Sequence, residues 1–282
     1  MTGLDATSGT ATYGMTTRIA RGAAVTLLAG AVGGMVLLAG EAFVARNRRY
    51  ARPELGLALR STVGRAGTPP LRLVLIGDSA ALGVGVDRAE DTVGGQLARL
   101  LSEGAGQGGV GQGGVGERQV RLSSVGVSGS RSTDLATQVA RALLGERPDV
   151  AVILVGANDV MGLRRPAEAA AYLGAAVRRL RGAGVRVVVG TCPDLGAVRA
   201  IAPPLRQVAG WLGRQTARAQ AVAVLEAGGT VVDLAAETGA VFRADAGTLC
   251  HDGYHPSADG YRVWAHALLP AVARAAAGTR QR

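Results

Sequence analysis

Between residues 71 and 276, short apolar runs alternate with stretches of helical patterning, and this alternation leaves few architectures open. Leu71–Ile76, Val150–Val155 and Val185–Gly190 are almost continuously apolar, as expected of strands buried on both faces. Gln119–Val125 and Val231–Leu234 read as two further strands. Between them, Thr92–Ser102 places Val93, Leu97, Leu100 and Leu101 on one side of a helix. Ser132 is placed to cap a second helix carrying Leu135, Val139, Ala142 and Leu143. Pro166–Arg181 and residues 203–226 continue the pattern, and Ser257 caps a last helix whose apolar face holds Tyr261, Trp264, Ala265, Leu268 and Val272. Strands alternating with helices predict a three-layer α/β/α domain: a five-stranded parallel sheet with helices on both sides. With aromatic residues at only 3%, its core must rest on Ala, Val and Leu.

The chain before residue 71 has a different character. Residues 1–21 read as a disordered leader. From Gly22 to Gly40 the sequence is uncharged and mostly apolar, and after Glu41 an apolar patch continues to Ala45. That length meets the roughly 20 residues a bilayer-spanning helix needs and exceeds the core of a cleavable signal. Gly40-Glu41-Ala42 offers a small-x-small cleavage site, but Arg46, Arg48 and Arg49 follow at once and disfavour export. The expectation is therefore an uncleaved transmembrane helix over 22–45, anchoring the protein to a membrane. Four arginines after the segment (Arg46, Arg48, Arg49, Arg52) against two before it (Arg18, Arg21) point the following domain to the cytoplasm, by a margin too small to assign the side. Residues 46–70, ending in Thr68-Pro69-Pro70, read as a linker, and 277–282 as a tail.

Composition excludes several classes of function. The formal charge of +10 comes from arginines spread along the chain, with no compact basic cluster interleaved with aromatics, so a nucleic-acid partner is not indicated. His251, His255 and His266 are the only histidines and show no metal-ligand spacing with the two cysteines, so neither a metal nor another cofactor is expected. Gly104, Gly106 and Gly109 form a GxGxxG string, but it follows a helix and precedes a strand, the reverse of a dinucleotide loop. The segment Gly104–Gly116 reads as a low-complexity insert. Cys192 and Cys250 both fall on the same face of the expected sheet, where two unpaired thiols are favoured over a bridge.

Polar motifs lie just past the expected carboxyl ends of strands, where open α/β sheets place their chemistry. Gly77-Asp78-Ser79 follows the first strand, Gly126-Val127-Ser128-Gly129 the second, and Gly156-Ala157-Asn158-Asp159 the third. Asp252-Gly253-Tyr254-His255-Pro256 opens the last helix. These four blocks, in this order, resemble those of the SGNH/GDSL hydrolases over roughly residues 71–276. Any one block is a weak signal; four at strand ends and a helix start are specific.

The resemblance implies a flavodoxin-like strand order 2-1-3-4-5 and a catalytic triad of Ser79, His255 and Asp252. It also implies an oxyanion hole made by the backbone N–H of Ser79, the backbone N–H of Gly129 and the side-chain amide of Asn158. The residue types suit that chemistry. A serine hydroxyl needs a base near neutral pKa to become a nucleophile, and the tetrahedral oxyanion needs fixed donors. Asp78 and Asp159 read as loop hydrogen-bonding residues, Gly126 as a close-packing glycine, and His251 and His266 as structural. The expected function is a serine esterase or acylhydrolase acting on a small-molecule, lipid or glycan ester through an acyl-enzyme. An acyltransferase using the same triad and a catalytically silent membrane-tethered binding module are the alternatives.

Overall fold

The computed structural model describes residues 30–45, 48, 50–53, 55, 59–67, 70–104 and 118–278. Residues 1–48 and 49–282 form two compact units. In the first, residues 30–45 are helical. Among the described residues no helix is long and apolar enough to cross a membrane, so the expected spanning helix over 22–45 is not found there. Residues 22–29 of that segment, the leader, most of the glycine-rich insert and the end of the tail lie outside the described residues.

The second unit is built on six strands: β1 (Arg60–Val63), β2 (Leu71–Gly77), β3 (Val120–Ser124), β4 (Val150–Leu154), β5 (Arg186–Gly190) and β6 (Thr230–Val232). Their order across the sheet is β1-β3-β2-β4-β5-β6. The five strands from β2 onward are parallel and, numbered among themselves, run 2-1-3-4-5, the order the resemblance implies. Strand β2 lies in the middle, with Leu73 opposite both Leu122 of β3 and Val150 of β4.

Strand β1 departs from expectation. It lies in the segment read as a linker and pairs antiparallel with β3, Thr62 against Arg121. Its residues are exposed or half-buried in alternation, as an edge strand allows, and Leu59 just before it is buried. The folded unit therefore starts well before Leu71.

Strands β2, β4 and β5 send alternate side chains into two different cores, whereas β3 buries Val120 and Leu122 on one face and leaves Arg121 exposed on the other. Leu71, Leu73, Leu75, Leu122, Val152 and Leu154 face helices α2 (Val93–Ser102), α7 (Leu234–Ala244) and α8 (Ala258–Ala277). Val74, Ile76, Ala151, Ile153, Val187 and Val189 face α3 (Leu135–Ala142), α5 (Pro166–Gly182) and α6 (Leu205–Glu226). Two-sided burial is why these strands are apolar throughout. On α8 the buried face is the one expected, with Tyr261, Ala265, Leu268 and Val272 fully inaccessible. The fifth parallel strand ends at Val232, two residues earlier than expected. Asp233 then caps α7 by accepting from Ala236 N–H, so Leu234 opens a helix. Two short helices, α1 (Ser79–Leu82) and α4 (Ala157–Met161), sit immediately beyond β2 and β4.

Candidate active site

The end of β2 is shaped by Gly77. Its φ of +141° is a conformation L side chains rarely adopt, and a Cβ there would lie 1.8 Å from the carbonyl oxygen of Leu154. Glycine thus lets β2 approach β4 and turn sharply into α1. Asp78 caps that helix by accepting from Ala80 N–H at 3.0 Å. Ser79 becomes its first residue, whose N–H has no acceptor within the helix. Burial raises the Asp78 carboxyl to about 6, against the lowering effect of the Ala80 N–H and of His255. Asp78 therefore serves the turn, as its motif position suggested.

Across the sheet edge, the turn before α8 folds the Asp252–His255 block onto Ser79. His255 Nε2 lies 3.0 Å from Ser79 Oγ, and His255 Nδ1 lies 2.6 Å from Asp252 Oδ2. All three side chains are largely buried, with Ser79 8% and His255 7% exposed. The Asp252 carboxylate is held from several directions. Its Oδ1 accepts from Tyr254 N–H at 2.7 Å, His255 N–H at 2.9 Å and the Cys250 thiol at 3.1 Å. Its Oδ2 accepts from Ala51 N–H at 2.9 Å in addition to the ring. Burial opposes ionisation, but the His255 ring bond and the backbone donors of Ala51, His255 and Tyr254 outweigh it and hold Asp252 well below the usual carboxylate range. Asp252 is thus an anion beside an imidazole, and that imidazole faces a serine hydroxyl.

The other two expected donors come from the loop after β3 and from helix α4. Gly129 has φ +81°, and a Cβ on it would meet open space, so its backbone conformation rather than crowding calls for glycine. Asn158, in α4, donates through Nδ2 to the carbonyl of Ser130 at 3.0 Å, tying its amide to the Gly129 loop. Asp159 is fully buried and accepts from both the N–H and the hydroxyl of Ser132. Ser132 consequently does not cap α3: it opens a 3-10 turn over Ser132–Asp134, and its hydroxyl is turned to Asp159. Gly126 packs as expected, since a Cβ there would lie 2.9 Å from that of Ala81.

Two buried glutamines, unremarked in the sequence, hold this edge together. Gln138 of α3 accepts from Gly77 N–H at 2.7 Å and donates to Gly77 O at 2.9 Å and to Ser130 Oγ at 3.0 Å. Gln220 of α6 accepts from Cys192 N–H at 2.7 Å and donates to Val155 O at 3.0 Å. Each amide satisfies backbone groups that strand ends leave unpaired in a dry setting. The only hint in the sequence is a polar residue on an otherwise apolar helix face. Cys192 and Cys250 are both free thiols. Burial raises Cys250 to about 11 and Cys192 further. Among the described residues no cluster of side chains could hold a metal ion.

A pocket opens beside Ser79, Asn158 and His255 and runs between the ends of β4 and β5 and helices α7 and α8. Leu154, Leu195, Leu234, Phe242, Leu249 and Trp264 make its walls apolar.

Comparison with known proteins agrees with this architecture. Residues 75–263 match the model of the GDSL-like lipase/acylhydrolase family. The chain is 41% identical over 204 residues to the GDSL-like esterase Rv1075c of Mycobacterium tuberculosis, a match covering 72% of this chain and 62% of that protein's length. Among solved structures, TesA superposes with a TM-score of 0.56 at 20% identity, covering 72% of this chain and 99% of TesA. A catalytic mutant of Axe2, an acetylxylan esterase from Geobacillus stearothermophilus, gives 0.52 at 21%, covering 73% and 93%. Those two likenesses speak to the fold alone. The family match, spanning the blocks from Gly77-Asp78-Ser79 to Asp252–His255, decides the assignment: this chain belongs to the GDSL-like lipase/acylhydrolase family.

Proposed function

We propose that the protein is a serine ester hydrolase with Ser79, His255 and Asp252 as its catalytic triad. The observation that carries this reading is the continuous row from Ser79 Oγ through both ring nitrogens of His255 to Asp252 Oδ2, at 3.0 and 2.6 Å. Ser79 Oγ attacks the ester carbonyl carbon as His255 Nε2 takes its proton, and Asp252 keeps Nδ1–H in place and stabilises the imidazolium. The negative charge moves to the carbonyl oxygen, which the N–H groups of Ser79 and Gly129 and the Asn158 amide receive. Collapse breaks the bond to the alcohol oxygen, which leaves with the proton from His255. Water then attacks the acyl-enzyme with His255 again as base, releasing the acid and restoring Ser79.

The apolar pocket beside Ser79 suits the acyl portion of an ester, because its walls offer dispersion contacts and few hydrogen bonds. The test is fluorophosphonate labelling together with turnover of p-nitrophenyl esters from acetyl to octanoyl. Wild-type protein is expected to label and to favour chains longer than acetyl. Ser79→Ala is expected to lose both labelling and turnover with an unchanged melting temperature. Turnover retained by pure Ser79→Ala would refute the nucleophile.

A further inference from the structure

We propose that Tyr50 and Ala51 form a positioning element for the His255–Asp252 pair, so that a dipeptide outside the family-matched region tunes the site. This rests on the triad reading above. The two residues lie ahead of residues 75–263, where the family match falls. The contact with Asp252 is made across 201 positions of sequence.

Two observations meet at this dipeptide. Ala51 N–H donates to Asp252 Oδ2 at 2.9 Å, the same oxygen that lies 2.6 Å from His255 Nδ1. The donors to Oδ1 all come from the turn 250–255 itself, so Ala51 is the anchor on Oδ2 that reaches in from elsewhere. A carboxylate pinned at one oxygen can still swing about that point; a donor on the other oxygen fixes its plane, and with it the ring it orients.

Tyr50 supplies the second constraint. Its ring lies 5.0 Å from that of Tyr254 and 6.3 Å, edge-on, from that of His255, while Tyr254 packs at 5.1 Å from His255. The imidazole is thus bordered by two aromatic rings, one from its own turn and one from the dipeptide. Tyr50 also packs on the apolar cluster of Leu195, Val198 and Ile201, which supports the dipeptide from below.

The experiment uses the full-length chain with Ala51→Pro, which removes the N–H, and Tyr50→Ala, which removes the ring. Each is expected to lower kcat about tenfold, roughly 1.4 kcal/mol of lost alignment, with KM within about twofold. Fluorophosphonate labelling should slow in parallel, and Tyr50→Phe, which keeps the ring, should restore kcat. Should Ala51→Pro fail to fold, the Tyr50→Ala and Tyr50→Phe pair decides the matter. Wild-type kcat in folded Tyr50→Ala, or a loss confined to KM or melting temperature, overturns the proposal. Ser79→Ala, run alongside, separates the two ideas: if it retains turnover, the triad reading has failed and not merely this one.

Discussion

Asp78 offers a direct test of how burial shapes this site. Its carboxyl is buried at the start of α1, and burial raises it from 3.8 to about 6. A carboxyl raised on folding binds its proton more tightly in the native state than in the unfolded chain. Stability therefore falls as pH rises from the unfolded value to the folded one, and stays low above it. A shift of roughly two units corresponds to about 3 kcal/mol at pH 7 and only about 0.5 kcal/mol at pH 4. Asp78→Asn keeps an acceptor for Ala80 N–H, and asparagine is as good a cap as aspartate. The substitution removes the ionisation while leaving the cap. Urea denaturation of both proteins at pH 4 and pH 7 should show the variant gaining about 2.5 kcal/mol relative to wild type between the two. Asp252 titrates identically in both proteins, so its own acid-range contribution cancels. An equal stability difference at the two pH values would refute the argument that Asp78 is ionised against its environment.

Gln138→Ala should leave Gly77 N–H buried without a partner, while Gly77 O keeps the Val127 N–H; the cost is about 1–3 kcal/mol, read as a lower urea midpoint with an unchanged slope. Gly129→Ala has room for its methyl but must hold a positive φ, so it should lose about 1–2 kcal/mol of stability in thermal denaturation. Its kcat should fall as well, by up to about 10²-fold, as the loop relaxes and its N–H moves off the proposed oxyanion position.

The parallel sheet was legible because burial on both faces demands uninterrupted apolar runs, and β2, β4 and β5 have them. The positions of Ser79, Asn158 and His255 were legible because strand ends and helix starts are local events, marked by Gly77, Gly156 and Ser257. Strand β1 was not. Arg60-Ser61-Thr62-Val63 is short and only half-buried, so it shows no apolar period, and its strand character comes from pairing with β3. Helix α7 was missed because Leu234 continues the apolar run of β6, and only the Asp233 cap ends the strand there.

What the sequence determined, then, is what each segment can bury and where the chain must turn. The tertiary structure alone decided which distant groups satisfy one another. Gln138 on Gly77, Asp159 on Ser132 and Ala51 on Asp252 each join residues far apart in the chain, and no periodicity encodes such a pairing. A backbone amide such as that of Ala51 carries no residue-specific signature at all. Its role arises only because the fold brings it within 2.9 Å of a carboxylate that is shut away from water.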